Sequence, residues 1–487
     1  MELLVTVLLA VGALGLAVQA LIGLSFFVSC IWEKERRASV FAGLQFLGMC
    51  ALLVIYLLLI WNGFFRTTLG LAILIAGYVL DVSGAILLLR RTAPNPRALQ
   101  GSKGLIVGEV KRQDERAIVF ARNRSLRPGS EQYEAFYKQY PEYEEYDKRR
   151  RQLGGPLGHP GAIDKPHEGP NVAATLASAS IPTHLSTPDA FNPRPHPELK
   201  GKKYEVSPEE ATERAKGYAR NRGADLVGIT EVNPLWIYSH RGEIFHNNWE
   251  DWGKEIKAEH KYAIVFATEM SFEMVGTGPH SPTMIESMGN YAQGAYIATQ
   301  LASFIANLGY SATACHLRHY EGLMVPLAVD AGLGELGRLG YLITKELGPR
   351  VRLGAVMTDL PLIPDKPVDI GVEDFCRICK KCAVCCPSNS IPVVKDQTVV
   401  NGSLRWKLND ETCFEYWGKI GTDCNICMRV CPWSHARTFP HKIIVELITR
   451  NKSARRLFSI MDDIFYGKKP KVKAIPKWAR FSIRSKQ

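Results

Sequence analysis

The residues best suited to chemistry in this chain are its cysteines, nine of which lie between Cys376 and Cys431. Twelve cysteines are too few for a disulfide scaffold of 487 residues, and their clustering is typical of metal binding. Thiolates are soft ligands that suit zinc, copper(I) and iron–sulfur clusters. The two runs read Cys376-Arg-Ile-Cys379-Lys-Lys-Cys382-Ala-Val-Cys385-Cys386-Pro387, and Cys413 followed by Cys424-Asn-Ile-Cys427-Met-Arg-Val-Cys431-Pro432.

When Cys385 is set aside, the first run has the C-x2-C-x2-C-x3-C-P spacing of bacterial ferredoxins, and the second repeats it with a longer first gap. Because the last cysteine of such a run ligates the other cluster, we predict two [4Fe–4S] clusters. The predicted ligands are Cys376, Cys379, Cys382 and Cys431 for one cluster, and Cys386, Cys413, Cys424 and Cys427 for the other. Zinc fits less well, since it has no use for the terminal Cys-Pro pairs. Cys385 is interpreted as a buried small residue rather than a ligand.

The amino-terminal part of the chain carries three long apolar runs, Leu3–Trp32, Ala38–Phe65 and about Thr67–Leu89. Each run is long enough for the roughly 20 residues that span the hydrocarbon core of a bilayer. A secretory signal peptide is a poor fit, because only Glu2 precedes the first run and no Lys or Arg does. We therefore predict a membrane anchor of three helices over residues 1–91.

The basic residues that flank these runs predict the orientation of the anchor. They are Lys34, Arg36 and Arg37 in the first loop, and Arg90 and Arg91 after the third run. The second loop carries only Arg66. By the positive-inside rule the amino terminus lies outside and the remaining chain is on the cytoplasmic side of the cell (inner) membrane. The net charge of +12 fits an anionic neighbour, and with this anchor we expect membrane lipid and no nucleic acid.

The remaining sequence divides by composition. The predicted parts are a linker or wrapping segment over 92–200, an α/β catalytic core over 201–370, a ferredoxin-like domain over 371–440, and an extension with a basic tail over 441–487. In the linker we predict one short helix over about 130–151, broken by Pro141. In the core, β-like runs cover 224–229 and 262–267, and an Ala-rich helix runs from Asn290 to Leu308, before Gly309.

Several motifs in a fixed order resemble the corrinoid-dependent reductive dehalogenases. They are Leu308-Gly-Tyr-Ser-Ala, Val325-Pro-Leu-Ala-Val-Asp-Ala-Gly-Leu-Gly-Glu-Leu-Gly-Arg338, Leu342-Ile-Thr, Gly348-Pro-Arg-Val-Arg-Leu-Gly, Thr358-Asp-Leu-Pro-Leu, the cysteine runs, Cys431-Pro-Trp and Met461-Asp-Asp-Ile-Phe-Tyr-Gly. The resemblance covers about Tyr204–Pro470. It implies a membrane-anchored α/β fold with three N-terminal transmembrane helices, a nitroreductase-like corrinoid-binding core and a C-terminal ferredoxin-like domain with two [4Fe–4S] clusters.

The resemblance also implies roles for particular residues. Tyr291 matches the family's proton-donating tyrosine, and Arg350 matches the basic residue that is held near it, with Arg352 as the neighbour that exchanges roles if the register differs. The cofactor would be a corrinoid (cobalamin) bound without a protein histidine on cobalt. The residues expected to contact the corrinoid are Gly332, Gly334 and Arg338. Where some members have a substrate-pocket asparagine, this chain has Cys315-His316-Leu317-Arg318-His319, so the substrate stays open.

The function that follows is a membrane-bound reductive dehalogenase acting on an organohalide. The electron donor is unknown, and the candidates are ferredoxin, flavodoxin and a quinol-linked system. Two alternatives remain. One is another corrinoid and iron–sulfur reductase, similar to epoxyqueuosine reductase, although three membrane helices do not suit a soluble tRNA substrate. The other is a membrane-bound diferredoxin electron carrier, which would hold no corrinoid.

The carboxyl terminus is strongly basic, with eight Lys or Arg and no acid from Lys468 to Gln487. Such a run is most often a solvated, disordered tail. Because Trp478, Phe481 and Ile483 are interleaved with the charges, the alternative is contact with anionic lipid at the cytoplasmic face.

Overall fold

A computed structural model of the chain describes residues 2–153, 168–245 and 249–480. The helices are α1 (Glu2–Trp32), α2 (Arg36–Trp61), α3 (Thr68–Leu89), α4 (Val119–Ser125), α5 (Glu131–Gln139), α6 (Glu144–Leu153), α7 (Glu168–His184), α8 (Pro188–Phe191), α9 (Pro208–Asn221), α10 (Phe272–Val275), α11 (Pro282–Asn307), α12 (Met324–Asp330), α13 (Val372–Cys379), α14 (Lys381–Val384), α15 (Asp410–Ile420), α16 (Ile426–Arg429), α17 (Phe439–Arg450) and α18 (Lys452–Phe465). The strands are β1 (Leu226–Glu231), β2 (Tyr262–Glu269), β3 (Ala312–Cys315), β4 (Glu335–Leu336), β5 (Leu342–Ile343), β6 (Val351–Thr358), β7 (Thr398–Val400) and β8 (Ser403–Arg405).

The chain forms two compact units, the first made of residues 1–93 and 435–471 and the second of residues 94–434 and 472–487. The carboxyl-terminal extension is thus divided between the units. The predicted linker, core and most of the ferredoxin-like domain belong to the second unit. The boundaries predicted between those three parts stay predictions.

The first unit contains α1, α2 and α3, which are each long and apolar enough to cross a membrane. Most of their apolar side chains are exposed, as expected of surfaces that face lipid. The second helix ends at Trp61, before the predicted limit of Phe65, because Gly63 has a φ of 68° and a short 3-10 turn follows it. The helices α17 and α18 complete this unit. Between them, the Asn451 side chain donates a hydrogen bond to the Leu87 carbonyl of α3 at 2.7 Å.

The second unit is built on a four-stranded sheet with the order β1-β2-β6-β3, in which every neighbouring pair is antiparallel. One face of this sheet packs against α9 and α11, and the other packs against α12. The two central strands are mostly apolar and mostly buried because both of their faces are covered. Gly354 of β6 lies opposite Phe266 of β2, where an added Cβ would come within 2.5 Å of the Phe266 ring.

The predicted core elements are confirmed with shifted limits. The runs at 224–229 and 262–267 are β1 and β2. The Ala-rich helix is α11, which begins at Pro282, eight residues before the predicted Asn290. Its first two turns are polar and Met-containing rather than Ala-rich, whereas its end follows the prediction, since Gly309 adopts a φ of 87°.

The predicted linker packs on the second unit along its described length. The helix predicted over 130–151 is confirmed as α5 and α6, which are separated at Pro141 by a 3-10 turn. Farther upstream, the backbone N–H and hydroxyl of Ser102 each donate to Asp330 at 2.6 Å. The predicted linker therefore binds the end of α12, which belongs to the predicted catalytic core.

Part of the basic tail is ordered against the second unit. The Lys473 backbone donates to the Gly276 carbonyl at 2.9 Å, and its ammonium lies 4.3 Å from the centre of the Phe272 ring. The Ala479 carbonyl accepts a hydrogen bond from Asn171 at 3.4 Å. Residues 472–480 are therefore not a solvated, disordered tail. Trp478 is 60% exposed, and residues 481–487, including Phe481 and Ile483, lie outside the described residues.

Candidate active site and cluster sites

Four of the predicted ligands line one cavity, namely Cys386, Cys413, Cys424 and Cys427. The backbone explains how two of them converge. Cys424 and Asn425 have φ values of 62° and 51°, so the chain turns sharply before α16, which carries Cys427. Few non-glycine residues adopt this left-handed conformation, and local strain of this kind occurs at ligand-binding loops. These four cysteines are the set that crossed ligation assigns to one cluster.

The other four predicted ligands are also grouped. Burial, and after it the charges of the neighbouring thiols Cys376, Cys431 and Cys379, raises the pKa of Cys382 well above its ordinary value. Burial likewise raises the pKa of Cys376 to about 11. Thiols in such a setting stay protonated unless a bound cation supplies positive charge, as the iron atoms of a cluster do. All twelve cysteines lie in the part of the chain that the structure describes, and none forms a disulfide.

Cys385 is half-buried rather than fully buried as expected, and it is not among the side chains that line the cavity with Cys386. Cys386 lines the cavity and Cys385 does not, so the two adjacent cysteines differ in setting. The structure groups the cysteines in the two sets that the spacing predicts, and their role as ligands stays a prediction.

Arg338, expected at the corrinoid, is completely buried and holds the first cysteine loop, and its contact with a corrinoid stays a prediction. Its guanidinium donates two hydrogen bonds of 3.0 Å to the Cys376 carbonyl, and two more to the carbonyls of Pro392 at 2.7 Å and Val394 at 2.6 Å. It also lies 4.5 Å from the centre of the Trp406 ring. With its donors occupied in this way, the side chain positions backbone at the cluster loop.

At Gly332 and Gly334 another part of the backbone comes so close that a side chain would not fit. A Cβ on Gly332 would lie 2.5 Å from the Lys366 carbonyl oxygen, and a Cβ on Gly334 would lie 2.2 Å from that of Ile343. Gly332 also has a φ of 73°, which favours glycine. The described contacts of both glycines are with the chain itself, and their contact with a corrinoid stays a prediction.

Tyr291 lies beside Arg352. The guanidinium carbon of Arg352 is 5.1 Å from the centre of the Tyr291 ring. Arg352 comes from β6 and Tyr291 from α11, and Ser287 stands one turn earlier on the same helix face. The Ser287 hydroxyl accepts a hydrogen bond from Arg352 Nη2 at 2.7 Å. The helix that carries the tyrosine thus also fixes the arginine.

An acidic group completes this arrangement. Asp423 Oδ2 lies 3.4 Å from Arg352 Nη2 and accepts hydrogen bonds from Ser287 and, at 2.8 Å, from Asn425 Nδ2. Burial raises the pKa of Asp423, and the positive charge of Arg352 opposes that rise. Because Asp423 immediately precedes Cys424, the loop that carries a predicted cluster ligand also holds the arginine beside Tyr291.

Arg350 lies elsewhere. Its side chain is 1% exposed, and it donates to the Ser434 carbonyl at 2.8 Å, to Glu269 at 2.9 Å and to the Met270 carbonyl at 2.5 Å. These contacts tie the start of β6 to the end of β2. Of the two arginines weighed from the sequence, the structure brings Arg352, the alternative, next to Tyr291.

Two further tyrosines belong to this region, and the sequence did not single them out. Tyr341 lines the cavity of four cysteines, and burial, together with the charges of Cys427 and Cys413, raises its pKa well above the ordinary value. The charges of Arg352 and Tyr291 also act on the pKa of Tyr341. Tyr320 donates to the Leu353 carbonyl at 3.0 Å, and burial raises its pKa as well.

Tyr291, Tyr320, Tyr341 and Arg352 are each half-buried. Burial raises the pKa of Tyr320 and of Tyr341 well above the ordinary value. Arg352 Nε is buried and, among the described residues, has no hydrogen-bond partner. The arginine beside Tyr291 therefore has one spare donor.

No family model matches the chain. Comparison with individual proteins, however, identifies several that are similar to about half of it. Tetrachloroethene reductive dehalogenase of Desulfitobacterium hafniense is 37% identical over 282 residues, which are 49% of this chain and 50% of that protein. The enzyme of the same name from Sulfurospirillum multivorans is 34% identical over 295 residues, or 54% and 58% of the two chains. An epoxyqueuosine reductase of Cyclobacterium marinum matches less, with 34% identity over 123 residues, 24% of this chain and 37% of that protein. The chain spans about half the length of the curated dehalogenases it matches.

Solved structures agree with this relationship. The catabolic reductive dehalogenase NpRdhA superposes with a TM-score of 0.59 at 27% identity, covering 78% of this chain and 49% of that one. The same protein in complex with 3-bromo-4-hydroxybenzoic acid gives a TM-score of 0.58, with 78% and 49% covered. In sequence and in fold, this chain is similar to the reductive dehalogenases.

Proposed function

We propose that the chain is a membrane-anchored, corrinoid-dependent reductive dehalogenase that removes halogen from an organohalide, with electrons delivered through two [4Fe–4S] clusters. The observation that carries the proposal is the pairing of Tyr291 with Arg352 near Tyr341, which also lines the cavity of four predicted cluster ligands. A proton donor and a chain of redox centres are the two things that reductive removal of halogen needs.

The residues present fit both kinds of cofactor. Eight grouped cysteines offer the soft donors that iron–sulfur clusters require. The half-buried Tyr291, Tyr320 and Tyr341 and the unpartnered Arg352 Nε would contact a large ring with polar side arms, such as a corrinoid. When bound, the clusters would supply single electrons and the corrinoid would reduce the carbon–halogen bond.

The part of the protein itself is to hold a proton and to fix its position. Tyr291 Oη would carry the proton that the substrate carbon receives, as the resemblance to the reductive dehalogenases implies. Arg352 stays protonated, since the charges of Tyr291 and Asp423 raise its pKa against the effect of burial. Its contact with Ser287 limits the positions that the guanidinium can take beside the phenol.

The membrane setting is also a proposal. The three apolar helices and the positive-inside pattern favour a multi-pass anchor in the cell membrane with the second unit on the cytoplasmic side. Exposed Trp478 and the basic residues from Lys468 onward would contact anionic lipid. Electrons would come from ferredoxin, flavodoxin or a quinol-linked donor.

Anaerobic purification of the full chain in detergent, followed by metal analysis and a halide-release assay with a reduced viologen dye, tests the proposal. About eight iron atoms and one cobalt per chain are expected. Tetrachloroethene and 3-bromo-4-hydroxybenzoate are the first substrates to try, because proteins similar to this one carry those compounds in their names or were solved with them bound. Full iron without cobalt, and no halide release, would instead indicate a diferredoxin electron carrier.

A further inference from the structure

A second group of metal-type ligands lies within the first unit. It consists of Glu33, His435 and His441, each of which offers one ligand atom within 4.8 Å of the other two. Glu33 follows the last residue of α1, His435 opens the carboxyl-terminal part of the unit, and His441 lies in the first turn of α17. Three elements thus converge on one point.

Two of the three candidate ligands, Glu33 and His441, are buried. The Glu33 side chain is 0% exposed and that of His441 is 7% exposed. Glu33 Oε1 lies 3.2 Å from His441 Nδ1, and Tyr466 Oη lies 3.5 Å from Glu33 Oε2. A carboxylate that is removed from water is stable only with compensating charge or hydrogen bonds. A bound cation would supply that charge directly.

His435 is oriented as metal-binding histidines commonly are. Its Nε2 lies 2.6 Å from Asp462 Oδ1, which leaves Nδ1 as the nitrogen that can ligate. A carboxylate on the far nitrogen fixes the tautomer and the plane of a ligating imidazole. The rings of His435 and His441 stack with centroids 4.9 Å apart and planes 19° apart.

His441 is held by further contacts. Its Nδ1 lies 2.7 Å from the Thr438 hydroxyl, and its Nε2 lies 3.0 Å from Tyr466 Oη. The Tyr466 ring also packs 4.0 Å from that of His435. Both histidines are therefore fixed by neighbours, which lowers the ordering cost of ligation. Ligation by His441 would exchange one of its two ring-nitrogen contacts for the metal ion.

We propose that Glu33, His435 and His441 bind a divalent first-row transition metal of the zinc class. Two imidazoles and one carboxylate form the N2O donor set that such ions prefer over magnesium or calcium, and three protein ligands leave a position for water.

The consequence is a cross-link between distant parts of the chain within the first unit. Glu33 and His435 are separated by roughly 400 residues, so one coordinated ion ties the end of the first membrane helix to α17 and α18. The inference does not depend on dehalogenation. A protein that lacked cobalt and released no halide would still bind this metal.

Zinc is the probe of choice, because the iron of the clusters hides added iron. Full-length protein with both clusters intact would be equilibrated with buffered Zn²⁺, desalted, and analysed for zinc and iron by mass spectrometry. The wild type is expected to retain one zinc more per chain than Glu33→Gln or His441→Gln. Zinc should also raise the thermal midpoint of the wild type but not of these variants.

Two further variants complete the test. His260→Gln is the matched control, since His260 also lies beside an aspartate, Asp359, at 3.2 Å but in the second unit, and it should retain the zinc. Asp462→Asn should bind zinc roughly 10–100-fold more weakly, because Asp462 acts through His435. If His441→Gln fails to fold, the nearly isosteric Glu33→Gln and Asp462→Asn decide. Equal zinc in the wild type and in Glu33→Gln would overturn the proposal and leave a metal-free hydrogen-bond network.

Discussion

The guanidinium of Arg352 lies 5.1 Å from the centre of the Tyr291 ring, and the same side chain donates to Ser287 one turn earlier on the helix that carries Tyr291. A cation at this distance from an aromatic ring is stabilised by about 0.5–2 kcal/mol, depending on its desolvation. Because strand β6 and helix α11 both contribute, the pair depends on how the sheet packs on that helix. The pairing therefore gives separate predictions for each partner.

The first prediction concerns Tyr291→Phe. The change removes only a hydroxyl, so iron and cobalt contents should equal those of the wild type. Turnover should fall by roughly 10²–10⁴-fold, the usual contribution of a positioned proton donor. Tyr296→Phe is the control, since Tyr296 lies on the same helix and is 39% exposed. Unchanged turnover in Tyr291→Phe would assign protonation to another group.

The second prediction separates Arg352 from Arg350. Arg352→Gln should keep both clusters and lower turnover by about 10–100-fold. The change removes the cation beside the Tyr291 ring and, with it, the unpartnered Nε donor of Arg352. Turnover per cobalt in the anaerobic halide-release assay is the measurement.

Arg350→Gln should act on stability instead. The change leaves the Ser434 and Met270 carbonyls and the Glu269 carboxylate without their buried partner, which costs about 2–4 kcal/mol. The thermal midpoint should drop while the turnover of the folded fraction stays close to that of the wild type. The reverse pattern would restore Arg350 as the partner of Tyr291.

The third prediction distinguishes the adjacent cysteines. Cys386 lines the cavity with three other predicted ligands, whereas Cys385 does not. Cys386→Ser should therefore damage one cluster and bring iron from about eight toward four atoms per chain. Cys385→Ser should retain both clusters. Electron paramagnetic resonance of the reduced variants reads out the outcome, and loss of a cluster in Cys385→Ser would shift the ligand assignment by one residue.

The features that were predictable from sequence are those specified locally. The spacing of the cysteines, the lengths of α1, α2 and α3, and the break at Pro141 each depend on residues near one another in the chain. Arg350 and Arg352 could not be separated in this way. They are two residues apart and so have the same parity along a strand, and the choice depends on β6 beginning at Val351 and on Ser287 and Asp423, which are about 65 and 71 residues away.

Long-range contacts also determine two features that the sequence alone did not predict, namely the partners of Arg338 and the group of Glu33 with two histidines. Arg338 ends a glycine-rich run, which resembles a cofactor loop, yet the carbonyls that it binds lie 38 to 57 residues farther along. Glu33 and the two histidines are even more distant in sequence, and no local pattern joins them. In both cases the deciding partners come together only after the units have formed.

Glu115 provides a prediction for pH dependence. Its side chain is buried in the second unit, where it accepts hydrogen bonds from the Gly242 backbone at 2.7 Å and the Glu243 backbone at 3.2 Å, with Arg241 at 3.4 Å. Burial raises the pKa of Glu115 from 4.5 to about 7, and the opposing charge of Arg241 only partly offsets this. The native state therefore holds a proton that the unfolded chain releases at lower pH.

The last prediction follows from the sign of that shift. A raised pKa in the folded state adds stability that is fully present below about pH 4.5 and is lost as the pH rises to about 7. Each pH unit in this window is worth about 1.4 kcal/mol, so the wild type should lose about 2 kcal/mol relative to Glu115→Gln between pH 5.5 and 7. Thermal midpoints of both proteins across that range measure the difference. Glu134→Gln, a change at an exposed glutamate, should run parallel to the wild type. If Glu115→Gln also runs parallel, the carboxyl group is ionised throughout, and Arg241 outweighs burial.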